Sequence, residues 1–311
     1  MEKNGKIYVA GHRGMVGSAI TRKLEASGYN NIVTRTHAEL DLNRQAEVEA
    51  FFKTEKPDYV FLAAARVGGI LANSQNKADF FYENSMISIN VINASKESGV
   101  KKLMNLGSSC IFPKMAPQPL KEEYLLTGPL EPTNDAYAIA KIGAIKMCKY
   151  YNDQFGTNFL SVMPTNLYGT GDNFNLNSSH VIPAMIRKFH EAKVAGNSVE
   201  LWGDGSPMRE FMHADDLADA VVYLMENKDA SDLGEFVNIG TGIDVTIAEL
   251  ADIITDVVGF KGQVKWDTSK PNGTPRKLLD VSRLEGLGWK AKTGLKGGLT
   301  SVYDWFCQQD S

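Results

Sequence analysis

Gly11-His12-Arg13-Gly14-Met15-Val16-Gly17 stands between a short apolar strand pattern, Lys6 to Ala10, and a segment with apolar residues at helical spacing, Ser18 to Ser27. Three glycines at such a junction let the chain turn tightly, bring bare backbone close to a ligand, and seat helix on strand. The helix N-terminus adds oriented N–H groups and positive potential. This feature directs the chain towards a parallel sheet with a dinucleotide-phosphate site at its first turn. A plain strand-to-helix turn reads the same way in isolation, so the remaining sequence decides.

The remaining sequence repeats the strand–helix pattern. Ile32 and Val33 open a second strand; Asp41 to Lys53 reads as a helix with Asp41 as N-cap; Tyr59 to Ala65 is an apolar run suited to a buried parallel strand. A long helix over Phe80 to Ser98, a strand over Leu103 to Leu106, a helix over Asn134 to Phe155 and a strand over Phe159 to Met163, closed by Pro164, follow. Alternation of this kind predicts an α/β, doubly wound parallel sheet of Rossmann type with right-handed crossovers. After Tyr168 the regularity weakens into loops at Gly169 to Ser179, Leu201 to Pro207 and Lys270 to Arg276, with helices at Val181 to Lys193, Asp215 to Glu226 and Thr246 to Val258. The expected organisation is a nucleotide-binding domain over 1–168, with return segments near 210–240. A smaller mixed α/β substrate lobe is expected over 169–209 and 241–311.

A net charge of −4 over 311 residues argues against a broad basic surface for nucleic acid or acidic membrane, so an anionic ligand must be met by a local cluster. Cys110, Cys148 and Cys307 form an odd, irregularly spaced set that fits a reducing, cytoplasmic setting and offers no zinc-ligand spacing. No apolar stretch reaches the length of a membrane span.

The second strand ends Thr34-Arg35-Thr36-His37, without the acidic side chain that would hold the ribose hydroxyls of NAD. Arg13 and Arg35 would instead receive a 2′-phosphate, so NADP(H) is the expected cofactor, with Asp41 in reach of the adenine side. Arg35 as a merely solvated charge is the competing reading. Ser108 follows the fourth strand, and Tyr137 and Lys141 lie four apart on a helix, hence on one face. A tyrosine gives up its proton near neutral pH only beside a cation that stabilises the phenolate; Lys141 supplies that cation, and Ser108 a hydrogen bond to the same carbonyl oxygen.

These features resemble the extended short-chain dehydrogenase/reductase family, over nearly the whole chain. More narrowly they resemble its epimerase-reductases of GDP-4-keto-6-deoxy-D-mannose. The narrower resemblance rests on Leu106-Gly107-Ser108-Ser109-Cys110-Ile111-Phe112-Pro113, Met163 to Gly169, Asn177-Ser178-Ser179-His180-Val181-Ile182-Pro183, Pro207 to Phe211 and Gly273 to Lys277. It implies that Cys110 and His180 are the base and acid that invert C3 and C5 of the sugar. Residue type alone reads them as a small buried thiol and a helix cap.

The resemblance also places His12, Met15, Val16, His37, Leu42, Lys141, Pro164, Thr165, Asn166, Leu167 and His180 against the cofactor, and Lys188, Trp202, Arg209 and Asn272 against the nucleotide sugar. Lys188, Asn272 and His37 depart from the arginine, aspartate and arginine frequent there. It further implies a homodimer through a four-helix contact, which agrees with apolar residues on more than one face of the two long helices. An NAD-retaining nucleotide-sugar 4-epimerase or dehydratase is the nearest rival, and a non-catalytic NADPH-sensing protein the alternative of another class.

Overall fold

The computed structural model describes residues 1–176, 178–270 and 272–309; Asn177, Pro271, Asp310 and Ser311, which fall in expected loop and lobe segments, lie outside them. Six strands form one parallel sheet: β1 (Ile7–Ala10), β2 (Ile32–Val33), β3 (Tyr59–Leu62), β4 (Lys102–Leu106), β5 (Phe159–Pro164) and β9 (Val237–Ile239), in the order β2-β1-β3-β4-β5-β9. Every residue of β1 and β3 is apolar because the sheet is covered twice. Ile7, Val9, Tyr59 and Phe61 point into one core and Tyr8, Ala10, Val60 and Leu62 into the other. Helices α1 (Met15–Ala26) and α7 (Ala214–Asn227) close the first face. Helices α2 (Gln45–Glu55), α4 (Lys77–Glu97) and α5 (Asp135–Phe155) close the second; the short α3 (Ile70–Gln75) precedes α4.

The later segments carry a separate core. Helix α6 (Val181–Ala195), the parallel pair β7 (Val199–Trp202) and β11 (Val264–Asp267), α9 (Ile247–Val258) and α11 (Leu295–Gln309) enclose Ile186, Phe189, Phe211, Leu250 and Leu299. Between the two cores runs β8 (Met208–His213), flanked by β10 (Asp244–Thr246) antiparallel, β12 (Arg276–Lys277) parallel, and β6 (Asn166–Tyr168) parallel to its C-terminal half. The short helices α8 (Ala230–Leu233) and α10 (Ser282–Gly286) complete the chain. Among the described residues no helix is long and apolar enough to cross a membrane.

Several boundaries differ from the sequence reading, and three have a physical cause on view. The second helix starts at Gln45, not Asp41, because the Asp41 carboxylate closes a local turn, accepting from the Asn43 backbone at 3.0 Å, and a side chain so engaged competes with helix. Leu201 and Trp202, expected in a loop, end β7, and Arg276 opens β12. Backbone pairing to distant strands carried these segments, and no local pattern announces it.

Candidate active site

Strand order reverses between β1 and β3, so the loops leaving their carboxyl ends part and leave a crevice there. Gly11 turns into it at φ +85°, and a Cβ on Gly11 would lie 2.8 Å from the Ala64 backbone. A Cβ on Gly17 would lie 2.1 Å from the Gly11 carbonyl. The loop therefore tolerates no side chain at either position, and α1 opens at Gly14 with no side-chain cap on its free N–H groups. His12 adds a buried Nδ1 with no hydrogen-bond partner among the described residues. Uncapped N–H groups and an orphaned imidazole nitrogen around a bare cradle fit the pyrophosphate of a dinucleotide.

Arg13 is exposed beside this cradle. Arg35 is not a free surface charge: its guanidinium meets the Glu55 carboxylate at 2.5 Å, donates to Thr34 O at 2.8 Å and lies 5.4 Å from the Phe51 ring centroid. His37 is exposed, 3.7 Å from Asp41, and Leu42 is buried with its carbonyl accepting from Asn90 at 2.9 Å.

The chemical groups converge past the ends of β4 and β5. Ser108 caps a 3-10 turn over Ser109–Ile111, its Oγ accepting from the Cys110 N–H at 3.4 Å. The same hydroxyl lies near the Tyr137 phenol and the Cys110 thiol and lowers the proton affinity of both. Lys141, one turn beyond Tyr137 on α5, is 4% exposed; its Nζ donates to Leu106 O at 2.9 Å and sits 5.7 Å from the Tyr137 ring centroid. Burial lowers the Lys141 ammonium to about 8, and burial raises the Tyr137 phenol, with the nearby Cys110 thiol adding to the rise. Burial likewise raises Cys110, against the pull of Lys277, Ser108 and Lys141. In water-poor surroundings each of these protons moves only if a partner charge appears beside it.

His180 is the N-cap of α6, with solvent access at its edge and enough protein around the ring that desolvation lowers its imidazole. Among the described residues its side chain makes no hydrogen bond or ion pair, so the structure does not link it directly to Cys110. Pro164 ends β5, Leu167 lies in β6, the Thr165 Oγ donates to Glu210 O at 3.3 Å, and the Asn166 amide donates to the same oxygen at 2.8 Å.

The residues expected at the nucleotide sugar are more open. Lys188 Nζ donates to Glu200 O at 3.1 Å, and Trp202 is 64% exposed. Arg209 donates to Met208 O at 2.7 Å, and burial lowers its guanidinium. Asn272 uses its Oδ1 to accept from the Asp204 N–H at 2.9 Å, a contact that ties the loop after Trp202 to the loop before β12.

Two residues had no role in the sequence reading. Glu210 is fully buried; its Oε1 accepts from the Thr241 and Gly242 N–H groups at 2.6 and 2.8 Å, and its Oε2 from the Leu279 N–H at 3.0 Å. Lys277 sits directly opposite Arg209 in the β8–β12 register and lies close enough to exert the strongest outside charge on Cys110. An acid within a strand of mixed polarity hints at the first; nothing local marks the second.

Residues 7–240 match the model of the NAD dependent epimerase/dehydratase family. GDP-L-fucose synthase 1 of Arabidopsis thaliana is 58% identical over 306 residues, covering 98% of this chain and 94% of the relative. GDP-L-fucose synthase of Escherichia coli strain K12 is 53% identical over 311 residues, 97% of each. Among solved structures, a GDP-mannoheptose C4 reductase from Campylobacter jejuni with NADP bound superimposes at a TM-score of 0.92, with 44% identity and 99% of both chains covered. With matched residues reaching from the first strand of the sheet to the end of its last, and relatives alike over almost their full length, the chain belongs to the NAD dependent epimerase/dehydratase family.

Proposed function

We propose that this protein inverts C3 and C5 of GDP-4-keto-6-deoxy-D-mannose and reduces the C4 ketone with NADPH, giving GDP-L-fucose. The observation that carries this reading is Ser108, whose hydroxyl takes the Cys110 N–H past the end of β4 and lies near both a phenol and a thiol. A plain reductase has use for the phenol alone. A C4 ketone acidifies the hydrogens on both neighbouring carbons, so a thiol beside the oxyanion site adds proton abstraction to reduction.

The sheet domain holds the cofactor through Gly11 to Gly17, Arg13 and Arg35, and the second lobe receives the GDP moiety through Lys188, Trp202, Arg209 and Asn272. When bound, NADPH supplies the hydride for C4. Cys110 takes the proton from a flanking carbon as the electron pair moves onto the C4 oxygen, where Ser108 and Tyr137 steady the charge. His180 returns a proton to the opposite face. In reduction Tyr137 gives its proton to the C4 oxygen, and the Lys141 ammonium stabilises the phenolate left behind.

The test is NMR in D2O with GDP-4-keto-6-deoxy-D-mannose, following label at C3 and C5 while NADPH consumption is read at 340 nm. Cys110→Ser is expected to slow exchange by about 10²- to 10³-fold, since a hydroxyl is a far weaker base than a thiolate. Full exchange at both carbons by that variant would remove Cys110 from the mechanism.

The chain also reads as a cytoplasmic homodimer. Phe81, Tyr82 and Ile89 on α4 and Ile139 and Tyr150 on α5 are each at least 46% exposed, a density of apolar side chains that supports pairing of these helices between copies. A strictly monomeric mass by light scattering at micromolar concentration would contradict the pairing.

A further inference from the structure

Lys277 is placed by more of the molecule than one lysine ordinarily commands. On one side β12 pairs with β8, with Lys277 opposite Arg209. On the other, the strand segment that continues from it is zipped to the chain leaving the Cys110 turn: Leu278 N–H to Gln118 Oε1 at 2.9 Å, Leu120 N–H to Leu278 O at 2.7 Å and Asp280 N–H to Leu120 O at 2.9 Å. Ile111, the neighbour of Cys110, shares one buried cluster with Leu120 and Leu279. The Glu210 carboxylate fixes the Leu279 N–H from beneath. Seven residues on from Ile111 and one from Lys277, both chains are held, so the strand that carries the ammonium is fixed beside the chain leaving the Cys110 turn.

Its surroundings are short of negative charge. Burial lowers the Lys277 ammonium; the charged groups acting on it besides are Cys110, Arg209 and Glu131, and Glu131 is the weakest of them, being committed to Lys114 at 2.9 Å. The groups acting on Cys110 are Lys277 from β12, Lys141 from α5 and the hydroxyl of Ser108, with Tyr137 facing it from α5. No carboxylate is among them. Among the described residues the Lys277 ammonium has no hydrogen bond and no ion pair. A partly buried ammonium without a counter-ion, on a strand fixed beside the turn of a buried thiol, lacks only the charge that the thiol acquires on losing its proton.

We infer that Lys277 is the positioning residue of the epimerase step: in place before substrate arrives, it is the counter-ion that the Cys110 thiolate meets when it forms. The inference rests on Cys110 being the base. In the step itself the carbon–hydrogen bond breaks, its electron pair moves onto the C4 oxygen, and the proton joins the Cys110 sulfur. In this step Lys277 keeps its own proton, and it has a counter-ion only while Cys110 is charged.

Thiolate formation is read without substrate from absorbance at 240 nm across pH 6 to 10.5, on the full chain, with the Cys110→Ser titration subtracted. Lys277→Gln is expected to raise the Cys110 midpoint by about one pH unit, the effect of removing one charge at a few ångströms in partly buried surroundings. Lys277→Arg is expected to bring it back to within a few tenths of a unit. Lys277→Met keeps the buried stem and gives the same reading should Lys277→Gln fail to fold. An unchanged midpoint in the neutral variants, including one accompanied by a raised KM for the GDP-sugar, would overturn the pairing and leave Lys277 a substrate contact. The titration needs no turnover, so it fails independently of the deuterium exchange that tests Cys110 as the base.

Discussion

Lys141 and Lys188 each donate from Nζ to a backbone carbonyl, at 2.9 and 3.1 Å, and there the likeness stops. Lys141 is enclosed among Leu106, Tyr137 and Cys110, and burial moves its proton equilibrium to about 8. Lys188 keeps its head in solvent. The same contrast separates the whole chemical centre from the nucleotide-sugar arm. Ser108, Cys110, Tyr137 and Lys141 change one another's proton affinity because little water intervenes, whereas Trp202, at the end of β7, and Asn272, on a loop, are open to solvent, Asn272 spending its oxygen on holding a turn. Electrostatic work is done where dielectric is low; recognition of a large, hydrated ligand is left to groups that can still rearrange.

If the contrast is real, substitutions in the two regions must differ in kind. The largest effect belongs to Tyr137→Phe, which removes the proton that accompanies hydride. Reduction is expected to fall about 10³-fold while label still enters C3 and C5, more slowly, because Ser108 remains to steady the enolate. Loss of both activities to the same degree would show the phenol to be required for the shared oxyanion site, erasing the division between the two steps.

Next comes pH. The useful form of Lys141 is the ammonium, and its affinity is depressed, so that form is complete below about 8 and is lost as pH rises through it. kcat/KM for reduction should therefore fall about tenfold per unit above that value, roughly 10²-fold by pH 10. A profile flat to pH 9.5 would mean that Lys141 is held charged by something other than the groups around it.

The smallest effect is expected in the open arm. Trp202→Ala should raise KM for the GDP-sugar by about 3- to 10-fold, the value of one aromatic contact, and leave kcat unchanged. A fall in kcat instead would mean that the arm closes on the substrate and contributes to the chemical step, which would join the two regions that the static fold separates.

The parts of this molecule legible in the sequence are those set by neighbours along the chain. The glycine loop, the four-residue spacing of Tyr137 and Lys141, and the apolar runs of β1 and β3 are local patterns with local causes. Asp41 misled because one carboxylate can cap a helix or close a turn, and the sequence is the same for both. Arg35 was legible as a cation at the end of β2 but not as the partner of Glu55, 20 residues on. Glu210 and Lys277 take their meaning from pairings across 31 to 69 residues and from a strand register, which no spacing announces.

Ser108 carries one proton. Its oxygen accepts from the Cys110 N–H and stands between a thiol and a phenol, but it can donate to a single acceptor at a time. While the Cys110 sulfur is charged it competes for that proton; once the sulfur has taken a proton from carbon, the hydroxyl is released towards the C4 oxygen. The hydrogen bond that Ser108 can give the C4 oxygen is thereby tied to the charge on Cys110.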